Sequence, residues 1–168
     1  MSSVGRCDVP DLDSYEILVV GSGESGKYLA WTMAAEGHRT AVIEQTLIGG
    51  SCPNIACLPS KNIIHSAKVK SLAGRSSEFG VASGSNRTVM EAVQQRKRTM
   101  VESLVKVHVD RYEAAGVDLI MGTARFVAPG SVAIDDGEER RVMSGERVFL
   151  NLGTRATQAT EPLTPTRY

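Results

Sequence analysis

Tyr15-Glu16-Ile17-Leu18-Val19-Val20-Gly21-Ser22-Gly23-Glu24-Ser25-Gly26-Lys27 decides the fold. The short apolar run Tyr15–Val20 reads as a parallel strand buried on both faces. It runs directly into a turn with glycines at 21, 23 and 26. A helix is predicted from Lys27 to about Glu36, with Leu29, Ala30, Met33 and Ala34 at helical spacing and Gly37 as its stop. Thr40-Ala41-Val42-Ile43 then makes a second strand that ends at Glu44. Each part of this βαβ unit has a physical task. The glycines Gly21, Gly23 and Gly26 permit a tight turn, close approach of a pyrophosphate and close helix–strand packing. The helix start offers amides and a positive dipole end to phosphates. Glu44, 18 residues after Gly26, is placed to meet ribose hydroxyls. A glycine-rich turn without a ligand is the plainer alternative. The strand before, the helix after and the acid in place all weigh against it.

The next distinctive stretch is Gly49-Gly50-Ser51-Cys52-Pro53-Asn54-Ile55-Ala56-Cys57-Leu58-Pro59-Ser60-Lys61. Two cysteines five positions apart, after a glycine pair and before Pro-Ser-Lys, have the layout of a redox-active disulfide. A zinc ribbon needs two close cysteine pairs, and the chain has three cysteines in all, so no metal site is expected. Residues five apart in a regular helix have Cα atoms roughly 8.6 Å apart, whereas a disulfide spans less than about 7 Å. The backbone must therefore break. Pro53 pushes Cys52 from helical angles, and Pro59 removes an amide from the turn containing Ile55. Cys52 is accordingly expected just outside a distorted turn, Cys57 within it, and regular helix from about Ser60. A cysteine at a helix start sees the dipole's positive end, which favours thiolate. Two buried cysteines that merely lie close together remain the bland reading.

Around these two stretches the chain is ordinary. Its 168 residues suffice for one domain with a core, and 19 basic residues balance 19 acidic ones. That balance gives no electrostatic case for nucleic acid or a membrane surface. Arg96-Lys97-Arg98 reads as a solvated helix face. No apolar run reaches the roughly 18 residues of a membrane span, and residues 1–14 read as a loose arm without a signal-peptide pattern. A cytoplasmic location is expected, where a close cysteine pair is catalytic more often than structural. Cys7, in the arm, reads as a free thiol without a role. A helix is predicted from Ser60 to about Ala73, with Ile63, Ile64, Ala67 and Leu72 as its apolar side. Gly74–Ser85 reads as a loop. A long helix is predicted from Thr88 to Ala115, with an apolar stripe of Val93, Met100, Leu104, Val107 and Tyr112. Val117–Met121 is a third strand. Ala124–Val127, Val132–Ile134 and Arg141–Met143 read as a small antiparallel meander, followed by a separate strand Arg147–Leu152. The fold class is therefore α/β, a Rossmann-like unit with a parallel sheet plus a β-meander. The domain runs over residues 15–156, with an irregular tail over 157–168. His38, His65 and His108 read as solvated or packed side chains rather than ligands.

With the glycine turn and the cysteine segment both in place, the chain resembles the flavoprotein pyridine nucleotide-disulfide oxidoreductases. Within them it is most similar to mercuric reductase and dihydrolipoamide dehydrogenase. The resemblance covers about Tyr15 to Ala156. It implies that the first motif takes FAD, with Gly21, Gly23 and Gly26 on the pyrophosphate and Glu44 on the ribose. Gly50 and Ser51 join that site, as do Gly122–Phe126 through Ala124, and Gly153. It further implies that Cys57 lies nearest the flavin, that Cys52 is the outer thiol exchanging with substrate, and that Lys61 stands by the flavin ring. Substrates of this class are small-molecule disulfides, protein disulfides or metal–thiol species, with NAD(P)H as electron donor in full-length members.

Three departures accompany the resemblance. Ser51 stands where the family usually has threonine, and Ala56 where it usually has glycine. Family members also continue into a nicotinamide domain and an interface domain that forms the homodimer, and neither is read in these residues. A partial chain is the expectation. Two functions follow: the FAD and redox-disulfide portion of an NAD(P)H-dependent disulfide or mercuric reductase, or a non-catalytic flavin- or thiol-binding remnant.

Overall fold

The computed structural model describes residues 13–82, 84 and 87–154. The expected arm up to residue 12, Cys7 and the tail over 157–168 lie outside the described residues. In chain order the elements begin with β1 (Asp13–Val20), α1 (Glu24–Ala35) and β2 (Thr40–Glu44). The short α2 (Ser51–Asn54) and the long α3 (Cys57–Gly74) follow, then one 3-10 turn at Ser76–Phe79. The remainder is α4 (Met90–Ala114), β3 (Asp118–Met121), β4 (Thr123–Ala128), β5 (Ser131–Asp135) and β6 (Arg140–Leu150).

The six strands form one mixed sheet in the order β3-β2-β1-β6-β5-β4. The first four are parallel, and β5 and β4 run antiparallel. The fold is thus α/β as expected, but the meander is not a separate piece. The two predicted segments Arg141–Met143 and Arg147–Leu152 are one continuous strand, β6. Its first half pairs antiparallel with β5, and from Met143 onward it also pairs parallel with β1. Gly145, where the sequence offers a break, is instead the point of closest strand packing, since a Cβ there would sit 2.7 Å from the Leu18 Cβ. β3 and β4 lie at opposite ends of the strand order yet are joined by Gly122 alone. The sheet therefore curls, and the meander folds across one face of the parallel half.

This arrangement explains why β1 is apolar on both faces. Alternate residues point to opposite sides of a strand. Ile17 and Val19, with Val42 of β2, pack against Ala30 and Trp31 of α1 and Tyr112 of α4. Leu18 and Val20, with Ala41 and Ile43, pack against Val132, Ile134 and Met143 of the meander half. Leu18 is fully buried.

The helices differ from expectation in detail. α1 begins three residues earlier than predicted, because Gly23 caps it and the Lys27 amide already bonds the Gly23 carbonyl. Val107 is 57% exposed and does not belong to the inward stripe of α4. The inward face steps by four residues through Met100, Leu104, His108 and Tyr112, so His108 takes the place that Val107 was expected to hold. On α3 the expected apolar side is largely exposed: Ile63, Ile64 and Leu72 all face outward. The helix is tied to α4 by polar contacts instead. Arg96 donates to the Asn62 carbonyl and, at 2.7 Å, to Ser66 Oγ, so it is a clasp rather than a purely solvated cation. No helix among the described residues is long and apolar enough to cross a membrane.

Leu18→Ala should lower the unfolding free energy by about 2–5 kcal/mol, as expected for a methylene-rich side chain removed from a closed interior. Urea denaturation followed by far-UV circular dichroism measures it. A change within about 0.5 kcal/mol, the scatter of surface substitutions, would contradict the two-faced packing of β1.

Candidate functional site

The site begins at the carboxyl ends of β1, β2 and β6, where an open parallel sheet leaves its crevice. Gly21 follows β1 at φ +101°, and its amide bonds the Ile43 carbonyl at 2.8 Å. Asn151, just past β6, donates its amide to Val20 at 2.8 Å and its side-chain nitrogen to the Gly21 carbonyl at 3.2 Å. Gly26 lies beneath this turn: a Cβ there would meet the Gly21 carbonyl and lie 2.7 Å from Asn151 Nδ2. Gly26 thus serves packing, whereas Gly21 and Gly23 line the cavity itself. The first amides of α1, at Glu24, Ser25 and Gly26, precede the first intrahelical bond and are free to donate.

Glu44 is the organiser of this end. Its Oε2 accepts from the Ser22 amide at 2.9 Å and from Ser22 Oγ at 2.6 Å. Its Oε1 accepts from the amides of Thr46 at 2.9 Å and Leu47 at 3.0 Å. Burial opposes ionisation here, but these four bonds, led by that from the Ser22 hydroxyl, outweigh it and hold the carboxyl below its ordinary range. All four acceptor positions are taken by the chain, so a ribose contact at Glu44 trades against one of these bonds. Ser22 Oγ in turn accepts from the Gly49 amide at 2.9 Å, which anchors the turn leading to the cysteines. Sequence reading passed over Ser22; its only signal is a hydroxyl between two glycines.

Gly50 caps α2 at φ +79°, and a Cβ there would lie 2.6 Å from the Gly23 Cα. The cysteine turn and the glycine turn therefore touch backbone to backbone. The break between the cysteines falls later than predicted. Cys52 is inside α2, and Cys57 opens α3; the irregular residues are Ile55 (φ −132°, ψ −16°) and Ala56 (φ −114°, ψ −94°). The reason is positional. Pro53 and Pro59 each fall in the first turn of their own helix, where the missing amide is an unpaired one in any case. Ala56 keeps a negative φ, in line with the methyl it carries.

Both cysteines are free thiols, Cys52 half-buried and Cys57 exposed. The Cys52 thiol is pushed up first by its hydrogen bond to Cys57, then by burial and by the charges of Cys57 and Glu24, while Lys27 pulls it down. A cavity of about 450 Å³ joins these parts. Its wall carries Gly21, Gly23 and Ser25 of the phosphate turn, Glu44, Gly50, Ser51 and Cys52. Gly122, Ala124, Asn151 and Gly153 complete the rim. Of the predicted site residues, Gly26, Cys57 and Lys61 do not line it. Lys61 lies one turn beyond Cys57 on the exposed side of α3. Phe126 is likewise exposed and away from the rim. Asn151 and Gln45 were missed, having no glycine or charge to mark them.

The residues fit a dinucleotide. The rim is rich in glycines, a Cβ on Gly21 or Gly50 would collide with neighbouring backbone, the first amides of α1 lie beside it, and donors and acceptors suited to phosphate and ribose surround it. Fold and site together are those of a Rossmann-like α/β domain with Cys52 on the wall of its crevice. The family described as pyridine nucleotide-disulphide oxidoreductase matches over residues 15–162, and the chain belongs to it. It is 29% identical over 150 residues to the dihydrolipoyl dehydrogenase of Bacillus subtilis, covering 84% of this chain and 32% of the relative. The corresponding enzyme of Haloferax volcanii is 32% identical over 148 residues, 85% and 30% of the two chains. The solved structure of the Cu(II) complex of the HOCl-induced flavoprotein disulfide reductase RclA from Escherichia coli superposes with a TM-score of 0.75 at 28% identity. That match covers 90% of this chain and 31% of RclA. The chain thus spans about a third of the length of the relatives it matches.

Glu44→Gln should cost about 2 kcal/mol near neutral pH, the scale of hydrogen bonds to a charged group. Because the folded carboxyl is held low, its contribution is present above the ordinary carboxylate range and lost as pH falls through the folded value. Urea titrations at several pH values should therefore show wild type and variant converging in acid. A gap that stays constant would rule out the carboxylate as its source.

Proposed function

We propose that this chain is the FAD-binding and dithiol portion of a disulfide reductase. The observation that carries the reading is the single cavity whose wall holds both the phosphate turn and Cys52. Gly21, Gly23 and the first amides of α1 would hold the pyrophosphate, Glu44 and Ser22 would order the ribose end, and Gly122–Ala124 and Gly153 would border the remainder. Lys61, a turn beyond Cys57, would bear on the flavin ring. A bound flavin supplies the two electrons that return an oxidised cysteine pair to the dithiol.

The chemistry left to the chain is thiol–disulfide exchange. Cys52, on the cavity wall, attacks one sulfur of a substrate disulfide, forming a mixed disulfide and releasing the first substrate thiolate. Cys57 then attacks the Cys52 sulfur, releasing the second thiolate and closing the Cys52–Cys57 disulfide. The substrate gains two electrons and the pair loses two. Small-molecule or protein disulfides fit this sequence directly. A soft metal ion held by the two thiols is the alternative substrate, in keeping with the Cu(II) complex of RclA and with the likeness to mercuric reductase. Exchange of this kind suits a cytoplasmic setting, where the pair is kept reduced.

A second reading is that these residues bind flavin and carry thiols without turnover. NAD(P)H would then be consumed, and the family's homodimer formed, only in full-length relatives. The test is reconstitution. Chain incubated with FAD and passed through a desalting column should retain flavin absorbance, and Gly26→Val should abolish it by forcing the helix off the Gly21 turn. Thiol titration should release two more thiols after mild reduction than after oxidation. Retained flavin with no NADH or NADPH oxidation selects the second reading, and a wild-type chain that retains no flavin overturns the cofactor assignment.

A further inference from the structure

Lys27 is the most deeply buried charge in the described chain, at 3% exposure, and exchange chemistry does not use it. Its ammonium donates to Glu24 Oε1 at 2.7 Å and to His108 Nε2 at 3.0 Å. With Nε2 accepting, the imidazole proton lies on Nδ1, which is buried without a partner. Nδ1 abuts the turn that begins α2: a Cβ on Gly49 would lie 2.8 Å from it and 3.1 Å from Pro53 Cγ. The ring is fixed by stacking on Trp31, 6.1 Å between centroids at 16°. At the other end of the cluster, Glu24 lines the cavity together with Cys52. The cluster therefore runs from α4, through the buried base of α1, to the mouth at the thiol pair.

We propose that Lys27 is a positioning residue for the redox pair: clamped between Glu24 and His108, it offsets the Glu24 charge beside Cys52 and holds the His108 ring against the turn that starts α2. The proposal rests on the disulfide-reductase reading for its purpose, but not for its geometry. The charged groups bearing on Cys52 are Cys57 from α3 and Glu24 and Lys27 from α1. Those bearing on His108 are Lys27 and Glu24 from α1 and Arg111 from α4, and burial with the Lys27 charge keeps the imidazole neutral. Glu24 opposes ionisation of Cys52 and Lys27 favours it, so removing either partner alone moves the thiol in opposite directions.

The test needs no flavin. The reduced 168-residue chain is alkylated with iodoacetamide across a pH series, and the rate at Cys52 is read by peptide mass spectrometry. Lys27→Met should move the midpoint of the Cys52 profile upward, slowing alkylation roughly threefold at neutral pH, which corresponds to about half a pH unit. Glu24→Gln should move it downward by a similar factor, and the double variant should return close to wild type. A general loosening of the turn would shift both single variants the same way and would not be restored by the second change. That outcome, or unshifted midpoints in both, overturns the proposal. Should Lys27→Met fail to fold, Glu24→Gln decides alone: a downward shift supports, and an unmoved profile overturns. Because the readout is a thiol rate, failure of FAD retention leaves this result standing, and the two ideas fail separately.

Discussion

A single carboxylate sets the geometry on which the rest depends. Glu44 ends β2, and its two oxygens accept four hydrogen bonds, two from Ser22 in the glycine turn and two from the amides that follow β2. A buried carboxylate with fewer donors would be costly, and one so fully paired is held ionised. The same Ser22 hydroxyl receives the Gly49 amide, so one side chain links the end of β1, the end of β2 and the start of the cysteine turn. The thiol pair is thereby referenced to the sheet rather than to the flexible end of a loop. Gly50 completes the link, because only a residue without a side chain lets α2 rest on Gly23.

Most of this frame is legible in the sequence, for definite reasons. β1, α1 and β2 are marked by local signals that tertiary structure does not override: a doubly buried apolar run, a glycine turn and a capped helix. The cysteine pair is marked by chemistry that ordinary composition seldom produces. The continuity of β6 was hidden because Ser144-Gly145-Glu146 reads locally as a break, whereas two neighbouring strands hold it extended on both sides. The place of Val107 was lost because hydrophobicity alone chose the stripe, and the inward position belongs to His108 for a polar reason, the Lys27 ammonium. Ser22 and Asn151 act through partners more than twenty residues away, and Lys27 joins its helix neighbour Glu24 to His108, 81 residues on. No window along the chain could have found them.

The position of the break between the cysteines has a related cause. Each proline falls in the first turn of its own helix, where the missing amide costs no bond, so Cys52 lies within α2 and the irregularity falls at Ile55 and Ala56. The result places Cys57 at the amino end of an 18-residue helix and Cys52 on a separate single turn. The two thiols are close because two helices meet end to end, not because one helix is bent.

That meeting gives the pair an asymmetry that exchange requires. The hydrogen bond between Cys52 and Cys57, with burial, makes Cys52 hold its proton longer than a free thiol. Yet Cys52, not Cys57, lines the cavity. In the proposed exchange the attacking thiol is therefore the one that holds its proton longer. Two acids share its cavity. Glu44 has no acceptor position left, while Glu24 is half-exposed and bonded only through Oε1, to Lys27. Glu24 is the acid whose charge bears on Cys52, opposing its ionisation, and Lys27 acts in the other direction.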